Sequence, residues 1–183
     1  GEGITEFVTP TWKETGMTHE ALEREKRNFV NAAVRAKKAG ADGVQLAGTR
    51  ESLIAILVSE IRNPGVPGYS EDLKARVRFP VEIIRGIKAA CGKDFPVMIR
   101  ISAVEYMADG YGIDYSMRVA KELVDAGVDA IDVVQAGFST QVPQLQMVVP
   151  PGAFAHYSRA IKSYLASSGA PYNKVVIMNA CRI

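Results

Sequence analysis

The sequence predicts an α/β fold of the TIM (β/α)8-barrel type, of which this chain covers about four β/α units. Three observations predict it. Helix, short turn and apolar strand recur four times along the chain, the grammar of a parallel sheet with helices outside it. The strand-to-helix connections, 102–113 and 135–152, are long, whereas the helix-to-strand corners are short; parallel α/β folds place their chemistry in such long loops. No Gly-x-Gly-x-x-Gly follows any strand, as a dinucleotide-binding sheet would want.

The units follow in order. Thr18 has the position of a helix N-cap, with Glu20 in the first turn. Leu22, Phe29, Val30, Ala33 and Val34 then share one helical face, Lys37 and Lys38 occupy the last turn and Gly40 supplies the stop. The run Gly43-Val44-Gln45-Leu46-Ala47 is too short for a helix and reads as a buried strand. An apolar helix is expected over 52–62, before Asn63-Pro64-Gly65. A helix over 70–90, which Pro80 should kink or restart, leads into the strand 96–101. Asp114 is placed to cap a third major helix, carrying Val119, Leu123 and Val124, before the strand 130–134. A helix over 153–166 ends near Gly169 and leads into the strand 174–178. The chain divides into an N-terminal extension, 1–17, and a partial barrel, 18–183.

Composition bounds the function. In 183 residues, 48% hydrophobic and 23% charged, there is material for a real core, which excludes a disordered tail or a small disulfide scaffold. Twenty-two basic against 20 acidic residues leave a net charge of +2 without a basic stripe, so a nucleic-acid partner is not expected. No apolar run reaches the roughly 18 residues of a membrane span. Cys91 and Cys181, with no Cys-x-x-Cys, read as reduced thiols of a cytoplasmic protein. A complete barrel takes about 250 residues, so four units leave two sheet edges and an inner face open. Either the remainder of a longer chain or a homo-oligomer is expected to complete the barrel.

Candidate chemistry concentrates at strand ends. Arg100 lies within Met98-Ile99-Arg100-Ile101-Ser102, where an unmatched cation costs several kcal/mol, on the order set by burial of a charge. It should meet either an internal carboxylate, Glu105 or Asp132, or a ligand in the barrel mouth. Arg182, after the last strand, is a candidate phosphate contact, and Cys181 beside it a strand-end thiol or a small packed residue. Arg50, just past the first strand, could also reach the mouth or simply start a helix. His19 and His156 follow no strand and read as surface or satisfied residues. No Ser/His/Asp set, strand-end carboxylate pair or metal-ligand cluster is spelled out.

Several segments resemble one family. Phe29-Val30-Asn31-Ala32-Ala33, Ala36 and Ala39-Gly40-Ala41-Asp42-Gly43-Val44-Gln45-Leu46 resemble the fourth unit of the NADH:flavin oxidoreductases, the old yellow enzyme family. Asn63, Tyr69, Leu73 and Arg76-Val77-Arg78-Phe79 resemble that family's next segment. Ile99-Arg100-Ile101-Ser102, Asp109-Gly110, Val149-Pro150-Pro151-Gly152-Ala153-Phe154 and Arg182-Ile183 look most like its 2,4-dienoyl-CoA reductase and 2-enoate reductase branch. The resemblance implies strands four to seven of an FMN-binding barrel, with NAD(P)H as electron donor, a small-molecule substrate such as an enoyl or dienoyl compound, and no iron–sulfur ligands in this stretch. It assigns Arg100 to the flavin N1/C2 carbonyl region and Cys181 and Arg182 to the FMN phosphate; Arg50 is the candidate substrate contact. The chain departs from the family at Ala47-Gly48-Thr49-Arg50-Glu51-Ser52, where substrate-binding imidazoles and a tyrosine proton donor would stand. It departs again near Phe138 and Ser139, where the dienoyl branch has a histidine, and at Tyr69-Ser70-Glu71-Asp72. These departures leave a second expectation standing beside the reductase: a catalytically degenerate barrel piece serving assembly or ligand binding.

Overall fold

A computed structural model describes residues 17–49, 51–135 and 150–179. Its elements run α1 (His19–Lys38), β1 (Val44–Gly48), α2 (Leu53–Val58), α3 (Leu73–Cys91), β2 (Val97–Ser102), α4 (Ile113–Asp125), β3 (Ala130–Val134) and α5 (Ala155–Ser167). A 3-10 turn (Tyr172–Lys174) and β4 (Val176–Asn179) complete the order. The four strands form one parallel sheet in the order β1-β2-β3-β4, so each unit adds its strand beside the last. Helices α1, α3, α4 and α5 pack successively against one another as a layer on one side of the sheet.

Strand alternation divides the sheet into two faces. Leu46, Val97, Ile99, Ile101, Ile131 and Val133 are buried under the helices, meeting Ile83, Ile84 and Ile87 of α3 and Leu123 of α4. The opposite face carries the row Ala47, Arg100, Asp132 and Met178, in register across all four strands. The row below it is Gln45, Met98, Ala130 and Val176. Gln45 and Ala47 are exposed, and Val176 keeps 55% of its surface. That open side is the one a closed barrel would turn inward.

The expected elements are present with shifted ends. Thr18 caps α1 by accepting the Ala21 N–H. Asp114 does not cap α4: Gly112 is the cap residue, and Asp114 lies in the first turn, where its charge still suits the helix dipole. Helix α2 stops at Val58 rather than running to residue 62, because Asn63 Nδ2 donates to the carbonyls of Leu57 and Tyr69 and turns the chain. Pro80 neither ends nor restarts α3, which runs through it from the Asp72 cap; Pro80 and Phe79 are buried, and this packing outweighs the roughly 3 kcal/mol cost of an interior proline. Strand β4 begins at Val176 because the preceding residues close a 3-10 turn. Cys91 is a buried free thiol; Cys181 lies outside the described residues. No helix among the described residues is long and apolar enough to cross a membrane.

Candidate functional site

The open sheet face brings Arg100, Asp132 and Gln45 together. Arg100 and Asp132 are register partners on β2 and β3, so their side chains leave the sheet on the same face. Arg100 donates through Nε to Asp132 Oδ2 at 2.7 Å, and Gln45 Nε2, reaching across from β1, donates to the same oxygen at 3.0 Å. Of the carboxylates the sequence offered, Arg100 therefore takes Asp132. Glu105 belongs to Arg62, which reaches its Oε1 at 2.9 Å.

The pair is asymmetric. The Asp132 side chain is 6% exposed and that of Arg100 41%. Because the carboxylate grips the Nε edge, the two Nη groups form no hydrogen bond among the described residues. Asp132 Oδ1 is buried and has no partner among the described residues. Gln135, directly after β3 and 1% exposed, has neither its amide nitrogen nor its oxygen paired among the described residues. Buried polar atoms almost always find partners, so Asp132 Oδ1 leaves acceptor capacity on the open face.

The loop after β2 is fixed from below and from the side. Ala103 and Val104 continue the ladder by donating to Val134 and Gln135 carbonyls at 2.7 and 3.1 Å. Glu105, 2% exposed, joins this loop to the segment after α2 through Arg62, and its Oε2 accepts the Tyr111 N–H at 3.2 Å. Tyr111 is buried, and burial pushes its hydroxyl far above the usual tyrosine range. Tyr106 and Asp109 hold positive φ angles of 51° and 60°, a region costly for residues with a side chain. The Tyr106 hydroxyl meets that of Tyr157 on α5; burial first, and then this partner, raise its pKa.

Of the residues singled out from sequence, Arg100 lies on this face, while Arg50, Cys181 and Arg182 lie outside the described residues, as do Phe138 and Ser139. His19 rests against the Tyr69 ring, and His156 Nδ1 stands 3.0 Å from the Ala153 carbonyl. Gln45 and Gln135 were not singled out. A polar residue in alternation with apolar ones within β1 was a usable signal for Gln45, whereas nothing in the sequence distinguishes Gln135 from a loop residue.

Comparison with known proteins gives a consistent picture. Residues 1–146 match the model of the NADH:flavin oxidoreductase / NADH oxidase family. A metal reductase of Desulforamulus reducens is 33% identical over 168 residues, 89% of this chain and 25% of that protein. An NADH oxidase of Thermoanaerobacter brockii is 40% identical over 129 residues, 70% of this chain and 20% of the relative. The chain thus spans about a quarter or less of these two relatives. Among solved structures, a 2-naphthoyl-CoA reductase in complex with 2-naphthoyl-CoA superposes with a TM-score of 0.82 at 24% identity, covering 91% of this chain and 24% of that one. This likeness supports the fold.

Proposed function

Because the chain belongs to the NADH:flavin oxidoreductase / NADH oxidase family, we propose that it forms four consecutive units of an FMN-dependent ene-reductase. The enzyme would take electrons from NAD(P)H and reduce an activated alkene, such as an enoyl or dienoyl compound, in the cytoplasm. The observation that carries the reading is the half-exposed Arg100, whose Nη pair points no hydrogen bond at the described residues.

The residues present fit a flavin. A guanidinium fork donates to carbonyl oxygens, and Asp132 Oδ1, unpaired among the described residues, adds an acceptor. A pyrimidinedione edge, alternating carbonyls with an N–H, is complementary to such a set. When bound, reduced FMN supplies the hydride, from N5. In this chain Arg100 would donate to the N1/C2 carbonyl region and favour negative charge there. Asp132 and Gln45 hold Arg100 in place. Cys181 and Arg182 would meet the phosphate, and Arg50 would contact the substrate. The open face and the β1 and β4 edges would be covered by the remaining strands of a longer chain or by a second copy.

The test is an FMN titration of the full chain, followed by visible absorption and size exclusion, with NAD(P)H oxidation assayed against enoyl and cinnamyl acceptors. Saturable binding with a shifted flavin band and alkene-dependent NAD(P)H oxidation support the proposal. A folded protein that binds no flavin points instead to the degenerate barrel piece. The 33% identity to a metal reductase favours one second reading, in which an oxidised metal ion is the electron acceptor; a soluble ferric chelate in the same assay decides between the acceptors.

A further inference from the structure

We propose that Asp132 is a positioning and charge-setting residue for Arg100, lowering the reduction potential of the flavin that Arg100 would face. This inference rests on the flavin reading above. Its basis is the side-on geometry of the pair. A carboxylate that met Arg100 end-on would occupy both Nη groups, the bidentate arrangement that arginine favours. Asp132 instead accepts from Arg100 only through Nε, and its own Oδ1 has no partner among the described residues. The guanidinium is thereby held by its inner edge, with its fork free for a ligand. Gln45 strengthens the hold by donating to the same Asp132 oxygen, which keeps the buried carboxylate in place.

The charge consequence is separate from the orientation. Arg100 alone would place a full positive charge beside the flavin and strongly favour its reduced, more negative form. Paired with a carboxylate that is almost wholly buried, it presents a neutral pair whose positive end faces outward. Low surrounding polarity makes that compensation count, since buried charges are poorly screened. The pair would therefore keep the bound flavin more strongly reducing than a lone arginine would. No electron or proton passes through Asp132; its effect is on the equilibrium.

The experiment measures the two-electron midpoint potential of FMN bound to the full-length protein, in the native sequence and in Asp132→Asn. Asparagine retains an oxygen to accept from Arg100 Nε and removes the charge. The expected result is a potential raised by at least a tenfold shift of the reduction equilibrium, about 30 mV for two electrons. A merely structural role for Asp132 would loosen the guanidinium and leave the potential unmoved or lowered, and either result overturns the inference. Asp132→Ser, which removes the charge with a smaller polar group, carries the same expectation should the asparagine variant not fold. Failure of the native protein to bind FMN overturns the flavin reading itself, and the inference with it.

Discussion

Arg100 and Asp132 stand opposite each other on neighbouring parallel strands, and the carboxylate takes the guanidinium by its Nε edge at 2.7 Å. Sheet register alone brings these two side chains to one face, from positions far apart in sequence. Everything around them on the helix-facing side is apolar and closed, so the pair is the point at which the sheet addresses its open side.

If Arg100 donates to a flavin carbonyl, Arg100→Leu should weaken FMN binding by about 10- to 100-fold, the range expected for losing a charge-assisted hydrogen bond of about 1.5–3 kcal/mol. Quenching of flavin fluorescence during titration of the full-length variant measures it. An unchanged dissociation constant would remove Arg100 from the cofactor site.

Gly48 is a steric requirement of the same region. A Cβ there would lie 2.7 Å from the Arg100 carbonyl oxygen and 3.1 Å from Ile54 Cγ2. The backbone oxygen cannot swing aside, so Gly48→Ala should force β1 away from β2 and cost about 1–3 kcal/mol, as overpacking does. Thermal or urea melting of the variant against the native protein tests this.

The Glu105 carboxylate is buried and accepts both from Arg62 and from the Tyr111 N–H. Glu105→Ala leaves that N–H unsatisfied and Arg62 without this partner. Arg62 is 23% exposed and so retains some contact with water, which places the expected loss at about 2–3 kcal/mol, below the upper range for breaking a buried pair. Because Glu105 fixes the loop after β2, the variant should also show faster amide exchange at residues 105–111 while exchange in α1 is unaffected.

A pH effect follows from the outer helix layer. Burial would raise the pKa of Glu82, but hydrogen bonds from Lys26 and Arg78 outweigh burial and hold it below the usual glutamate value of 4.5. A carboxyl group with a lowered pKa in the folded state contributes stability above its unfolded pKa and loses that contribution as pH falls through the folded one. Lys26 has the opposite sign. Burial lowers its pKa, but Glu23, Glu82 and Tyr69 together raise it, so its contribution persists through neutral pH and fades only in strong alkali. Denaturant midpoints should therefore fall below pH 4.5 in the native protein and fall less steeply in Glu82→Gln.

Much of this architecture was legible along the chain. The strand Ala130–Val134 begins and ends where its apolar run does, because a strand covered on one face and buried at both neighbours tolerates few polar residues. Thr18 capped α1 because an N-cap is a local interaction, complete within three residues. Two of the misjudged boundaries are set by contacts outside the local pattern. Asn63 ends α2 by bonding carbonyls on both sides of itself in sequence, and Pro80 is kept inside α3 by the core it packs into. Period and composition do not encode such contacts.

The sequence by itself determined the parallel α/β order, the family and the presence of a strand-borne cation at position 100, since each of these is written in local pattern or in contiguous motifs. Only the tertiary structure decided which carboxylate meets that cation, by which edge, and that Gln45 joins the pair on the same face. The physical reason is register. A shift of one residue between β2 and β3 would send Asp132 to the opposite side of the sheet from Arg100, and what holds the register is the packing of the helix layer rather than any segment read alone.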